Sequence, residues 1–246
     1  MLKFGNTFVN FGGTYLSGWV DPLNPLDLPA NTIRLKYNNG VTPSFSKGTA
    51  IQVSQAPNVW DLTYNNTNWT SLLSDQTDLL EVLGANTTGV TYMRDMFAWC
   101  TSLTSVNIFN TSNVTDMYQM FEHCTSLNYI PLFNTNKVTT MRMMFYECTS
   151  LTAAPLFDTS NVTNMEYMFY TCENLTNVPL FNTSKVTNIS KMFAGCYNVQ
   201  YGALALYQQA STQVTPPSQH NQTFYYCGSD TETGAAELAQ IPSDWK

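Results

Sequence analysis

Cys100, Cys124, Cys148, Cys172 and Cys196 are evenly spaced along the chain, and each follows a Met-Phe pair at one constant interval. A period as long as the step from Cys100 to Cys124 means stacked supersecondary units, each too small to bury its own apolar face, and it shifts the expected function from chemistry towards contact. The units read Asn86–Phe109, Asn110–Phe133, Asn134–Phe157 and Asp158–Phe181, with a drifting fifth from Asn182 to the residues around Leu206. One period earlier, Trp69, Leu72, Leu73, Leu79 and Val82 fill the slots of Met93, Met96, Phe97, Leu103 and Val106, and Gln76 replaces the cysteine. One period later the cysteine slot falls on His220, and the pattern dissolves through Pro216-Pro217.

Two periodicities divide each unit. Met117, Met120, Phe121 and Cys124 lie at i, i+3, i+4 and i+7, the stripe of a two-turn helix. Thr115 is placed to cap it, and Thr163-Asn-Met-Glu166 fits a capping box. Leu127, Ile130 and Leu132 then predict a short strand with alternating sides, on which Pro131, Pro155 and Pro179 face outward beside Asn107, Tyr129 and Asn177. Neither element persists alone in water, so stacking is obligatory.

The repeat resembles that of the BspA-type leucine-rich-repeat surface proteins, whose phrase runs Asn-Thr-Ser-Asn-Val-Thr-Asn-Met, two variable residues, Met-Phe, two variable residues, Cys-Ser-Ser-Leu. This chain carries it from Asn110 to Leu127 and from Asp158 to Leu175, with Thr125-Ser126 and Glu173-Asn174 after the cysteine. The resemblance implies an α/β repeat fold, a right-handed leucine-rich-repeat solenoid with a short strand and a short helix per rung. It also implies a non-catalytic, adhesive role. The expected division is an aromatic and Pro-rich anchoring segment over 1–29, a small β module and N-terminal cap over 30–64, the solenoid over 65–209 and a C-terminal cap over 210–246. In the β module, Thr32–Lys36 and Thr42–Ser46 flank the turn signal Asn38-Asn39-Gly40, and Thr49–Val53 and Val59–Tyr64 continue in β style.

A net charge of −7 with ten Lys and Arg offers phosphates no footprint, so nucleic acid is not an expected partner. No apolar run is long enough to span a membrane, and the start at Met1 lacks the core of a secretory signal. Without a Cys-x-x-Cys pair the thiol ladder reads as small buried hydrophobes, with Cys227 outside the period as another packed thiol. His123 shares its slot with Trp99, Glu147 and Thr171 and reads as exposed. No phosphate loop, nucleophile elbow or paired carboxylate stands out, so no enzyme, cofactor or metal is expected.

The first twenty residues set Phe4, Phe8, Phe11, Tyr15 and Trp19 among glycines and polar residues, with a phrasing similar to phage virion proteins. Such surface must dock, on the adjoining β module or on virion proteins. Binding candidates are the strand-side residues named above and, on the helix side, Tyr118, Tyr146 and Tyr170. The expected function is attachment of a virion-displayed solenoid to a protein or glycan on a bacterial surface. A surface adhesin, exported and extracellular, or a virion cementing protein are the alternatives, and a homo-oligomer fits each of them.

Overall fold

The computed structural model describes residues 28–53 and 56–246, and before them only the backbone of two antiparallel strands, β1 (Leu2–Phe4) and β2 (Thr7–Val9). The aromatic side chains of the leader, Phe4, Phe8, Phe11, Tyr15 and Trp19, lie outside the described residues.

Successive units stack in parallel with one constant offset, and the bridges run from Asn68 to Tyr92, Asp116, Thr140, Asn164 and Asn188. The Met-Phe segment, expected as a helix, is a chain of turns. Its N–H groups divide their bonding. Those of Met120, Glu122 and Cys124 close turns onto Met117, Gln119 and Phe121, whereas those of Met117, Gln119, Phe121 and His123 donate to the carbonyls of Thr140, Arg142, Met144 and Tyr146 in the next rung. A two-turn helix would leave its first N–H groups without partners, and the alternating pattern supplies them from the neighbour. With no helix to cap, the Thr115 and Thr163 hydroxyls donate instead to the carbonyls of Thr91 and Thr139, one rung back.

The alternation demands left-handed backbone at two slots per rung, as in Gln119 and His123 (φ 53° and 55°), Met143 and Glu147 (56° and 57°), and Tyr167 and Thr171 (57° and 55°). Thr171 is β-branched, the least suited to this region. Its replacement by glycine, the residue that fills this slot one rung later as Gly195, is expected to raise stability by about 1 kcal/mol. A urea midpoint at or below that of the parent would contradict this.

The interior is built of files that run along the stack. The Phe97, Phe121, Phe145, Phe169 and Phe193 rings lie 5.2–5.7 Å apart and near parallel. Beside them each cysteine thiol donates to a carbonyl of the preceding rung, Cys124 to Phe97 and Cys148 to Phe121, both at 3.1 Å. Thr111, Thr135 and Thr159 are buried and donate to the carbonyls of Asn134, Asp158 and Asn182 at 2.8 Å. The Asn-Thr-Ser phrase is thereby explained: Asn110 Oδ1 accepts from Ser112 N at 3.0 Å to make the corner, and the threonine ties it to the next rung.

Both ends are closed within the same core. At the N-terminal end, β3 (Thr32–Tyr37), β4 (Thr49–Gln52), β5 (Val59–Thr63), β6 (Leu79–Asn86) and β7 (Ser105–Val106) form one sheet in the order β4-β5-β3-β6-β7. Because β6 and β7 belong to the first rungs, residues 30–64 are continuous with the stack and do not stand apart. Residues 42–46 are not a strand: Val41 closes a turn onto Asn38, and Phe45 folds edge-on against Tyr37 at 6.2 Å.

At the other end α1 (Ala203–Ser211) enters after Gly202, and the chain then resumes the repeat. Phe193, Gly195 and Ile189 donate to Thr223, Tyr225 and Gln219, Phe224 stacks on Phe193, and Gln222 and Tyr226 are left-handed. Cys227 therefore occupies the cysteine slot of a further rung, later in the chain than His220, where an uninterrupted period would place it. The inserted helix hides it from the period. α2 (Glu232–Gln240) and the buried Trp245, stacked 4.4 Å over His220, close the end.

Candidate interaction surfaces

The outward slots of the turn segment form an aromatic and charged ladder of two files. Trp99 stacks on His123 at 3.7 Å, His123 meets Tyr146 edge-on at 5.5 Å, and Tyr146 stacks on Tyr170 at 5.0 Å. The Tyr118 ring lies between Arg94 and Arg142, whose guanidinium carbons are 4.8 and 5.3 Å from its centroid. Asp116 orients Arg94 at 2.8 Å, and Glu166 orients Arg142 at 2.6 Å while Arg142 also donates to the Tyr118 hydroxyl at 3.0 Å. Arg94, Tyr118, Thr140 and Arg142 line a depression of ≈ 280 Å³.

His123 is thus not freely exposed: besides Trp99 it pairs with Glu147, Nδ1 to Oε2 at 3.0 Å. Glu147 is thereby paired with His123, while Glu122 accepts from Gln119. Burial, followed by the neighbouring Glu147, pushes the Tyr146 hydroxyl up to about 12, so it stays a neutral donor. Rings stacked on one another have spent their faces and present edges, hydroxyls and guanidinium N–H groups. The surface is therefore one of directed polar contacts on rigid rings, with little side-chain freedom left to lose on binding.

On the segment after the cysteine the structure corrects the predicted sides. Ile130 is buried as expected, but Pro131 and Pro179 are buried too, and Pro155 is half-buried. Leu132, placed inward by the alternation, is 57% exposed. The cause is a local bend: Phe157 donates to Pro155 and Phe181 to Pro179, two residues back, which breaks strand alternation and turns the phenylalanine inward. The segment is extended only at β7 and at single bridges such as Ser105 to Tyr129 and Asn177 to Tyr201.

Tyr129 is exposed and Asn177 half-buried, while Asn107 is exposed with its amide tied to the Leu83 carbonyl at 2.8 Å. Of the binding candidates, Tyr146 and Tyr170 stack together and Tyr118 lies in the other file between two arginines; Pro131 and Pro179 are unavailable. Two features escape the sequence reading. One is Trp99 with its partner His123. The other is a row of exposed aliphatics, Ile108, Leu132, Leu156 and Leu180, 67%, 57%, 61% and 51% exposed. The signal for the row is present, since counting one residue back from the invariably buried Phe109, Phe133, Phe157 and Phe181 lands on it.

Among the described residues no three His, Cys, Asp or Glu side chains converge to hold a metal ion, and no helix is long and apolar enough to cross a membrane. Neither a curated protein nor a solved structure matches the chain. A family model does, over residues 67–175 and again over 129–224, which together span the stack from the rung of Trp69 to Phe224 in the last rung. On that coverage the chain belongs to the repeat-containing family described as Mycoplasma protein of unknown function, DUF285.

Proposed function

We propose that the chain is a non-catalytic contact protein, a solenoid of the leucine-rich-repeat kind similar to BspA-type repeats, which attaches to a protein or glycan on a bacterial surface through its aromatic and charged ladder. The observation that carries this reading is the contrast between constant interior slots and varied exterior ones. Cysteine repeats from Cys100 to Cys196, while the slot before it reads Trp99, His123, Glu147, Thr171 and Gly195, and another reads Arg94, Tyr118, Arg142, Glu166 and Ser190. A purely structural stack has no need of Arg94 and Arg142 held on either side of a tyrosine, whereas recognition surfaces are enriched in oriented arginine and tyrosine.

Binding of the labelled protein to immobilised bacterial envelopes tests this. Replacing Tyr118 and Arg142 by alanine is expected to weaken binding by roughly tenfold or more, the loss typical of central contact residues. Replacing Asn107 and Tyr129 is expected to leave it unchanged. Equal binding by both pairs of variants, with fold intact by circular dichroism, would remove the ladder as the contact face.

A further inference from the structure

We infer that the row Ile108, Leu132, Leu156 and Leu180 is a docking surface whose occupant is this chain's own N-terminal segment, residues 1–27. Four large aliphatic side chains aligned on successive rungs and more than half exposed are costly in water and prone to unspecific association. The row also begins in a hollow. Gly84 stands one period before Ile108, in the slot where later rungs place leucine, and a space of ≈ 420 Å³ opens there between Gly84, Asn86, Ile108 and Phe109.

The path of the chain leads to this place. Leu28 is buried, and its carbonyl accepts from Asn86 Nδ2 at 3.0 Å, so residues 1–27 join the described chain at the mouth of the hollow. From Ile108 to Leu180 is three rungs, roughly 14 Å at about 4.8 Å each. Trp19 lies nine residues before Leu28 and can reach up to about 30 Å. Tethered this closely, the segment is present at an effective concentration of the order of millimolar, which no free partner matches.

The chemistry agrees. The segment brings Phe4, Phe8, Phe11, Tyr15 and Trp19, and its charges are Lys3, Asp21 and Asp27. Along the row the flanking residues Asn107, Asn110, Asn128, Asn134 and Asn182 are uncharged, and Asp158 is the exception. A neutral apolar strip faces a neutral aromatic segment, so docking strands no charge away from water. The aromatic surface of the leader is thereby accounted for within the molecule, and anchoring to another assembly would require the leader to leave the row.

The six native thiols are buried, so a cysteine placed on the surface is the one that labels. In the full chain, Leu132→Cys is expected to react with a maleimide on the order of tenfold more slowly than the same variant carrying Phe8, Phe11, Tyr15 and Trp19 replaced by serine. Tyr92→Cys, on a half-exposed side chain of the turn segment, should label alike with either leader and serves with the silent native thiols as the check on folding. Equal labelling of Leu132→Cys with both leaders overturns the inference, and so does protection that grows with protein concentration, which would mean a second copy. A benzophenone side chain at Val20 gives an independent reading that leaves the aromatic set intact. Cross-linking within one chain to the rungs of Leu132 or Leu156 supports the inference, and cross-links elsewhere refute it.

Discussion

The fold is expected to fail steeply above pH about 9, because the cysteine file is a store of protons that only the native state keeps. Burial raises every thiol: Cys100 to about 12, and Cys124, Cys148, Cys172, Cys196 and Cys227 likewise well above the ordinary range. In the unfolded chain a thiol titrates near pH about 8.5. Below that value both states are protonated and the full stability is present. As pH rises towards the native values, the unfolded state alone sheds protons, and each thiol costs about 1.4 kcal/mol per pH unit.

Six buried thiols together approach about 8 kcal/mol per unit, against a total stability of about 5–15 kcal/mol for an ordinary domain. Tyr37, raised by its burial, adds to the slope once unfolded tyrosines ionise above pH about 10. Urea midpoints measured from neutral pH upward should therefore fall sharply from about pH 9. In a Cys124→Ala/Cys148→Ala variant the slope should lose roughly a third, since two of six titrating groups are gone. An unchanged slope in that variant would mean that the thiols are not what the alkaline limit reports.

The same residues show how far the sequence can be read. Spacing marks Met117, Met120, Phe121 and Cys124 as one inward stripe, and all four are fully buried. Spacing fixes which side a residue faces more securely than the backbone that puts it there. An i, i+3, i+4, i+7 pattern suits a helix, but a chain of turns with left-handed residues at Gln119 and His123 presents it equally well. Local propensity signals such turns only weakly, because Gln, His, Met, Glu, Tyr and Thr fill those slots in the central rungs and glycine appears only at Gly195. What selects them is the inter-rung bond from Gln119 to Arg142, a partner almost a full period away that local pattern cannot contain.

The surfaces are half legible for a related reason. Tyr118, Tyr146 and Tyr170 stand out as varied slots, yet that Tyr146 and Tyr170 stack together while Tyr118 sits between two arginines depends on side chains of adjacent rungs. Strand alternation carried through Pro131 assigns Leu132 to the interior, whereas Leu132 is exposed and at the matching Pro155 and Pro179 a two-residue bend ends the alternation. Cys227 falls outside the period because α1, inserted ahead of it, pushes the cysteine slot from His220 to Cys227 without changing the geometry of the rung that follows.

Removing one whole period should be tolerated where removing half of one is not. Deleting Asn134–Phe157 joins Phe133 to Asp158 and sets Cys124 directly against Cys172, so every file keeps its identity. Phe121 then stacks on Phe169, the Thr111 hydroxyl finds the Asp158 carbonyl in place of Asn134, and the turn N–H of Met117 faces the carbonyl of Asn164. The loss is a rung and its two interfaces, replaced by one interface of the same kind, and such stacks sum over nearest neighbours. The shortened chain is expected to unfold cooperatively with a denaturant slope reduced in proportion to the lost surface.

Deleting Asn134–Phe145 instead removes half a turn of the stack. It brings Tyr146 to the position of Asn134 and leaves a phenylalanine, Phe157, in the slot of Phe145, but sets Ser150, Ala153, Ser160 and Thr163 in the buried slots of Val138, Met141, Cys148 and Leu151. It also removes the Arg142 and Met144 carbonyls to which the N–H groups of Gln119 and Phe121 donate. Each buried amide left unpaired costs about 1–3 kcal/mol, and a core slot emptied as Met141 to alanine about 2–5 kcal/mol. Two such amides and the four altered core slots already match the stability of a typical domain, so this chain should not fold. Circular dichroism and the silence of the native thiols towards maleimide would separate the two outcomes. If both deletions fold, or neither does, the parallel register is not what holds the molecule together.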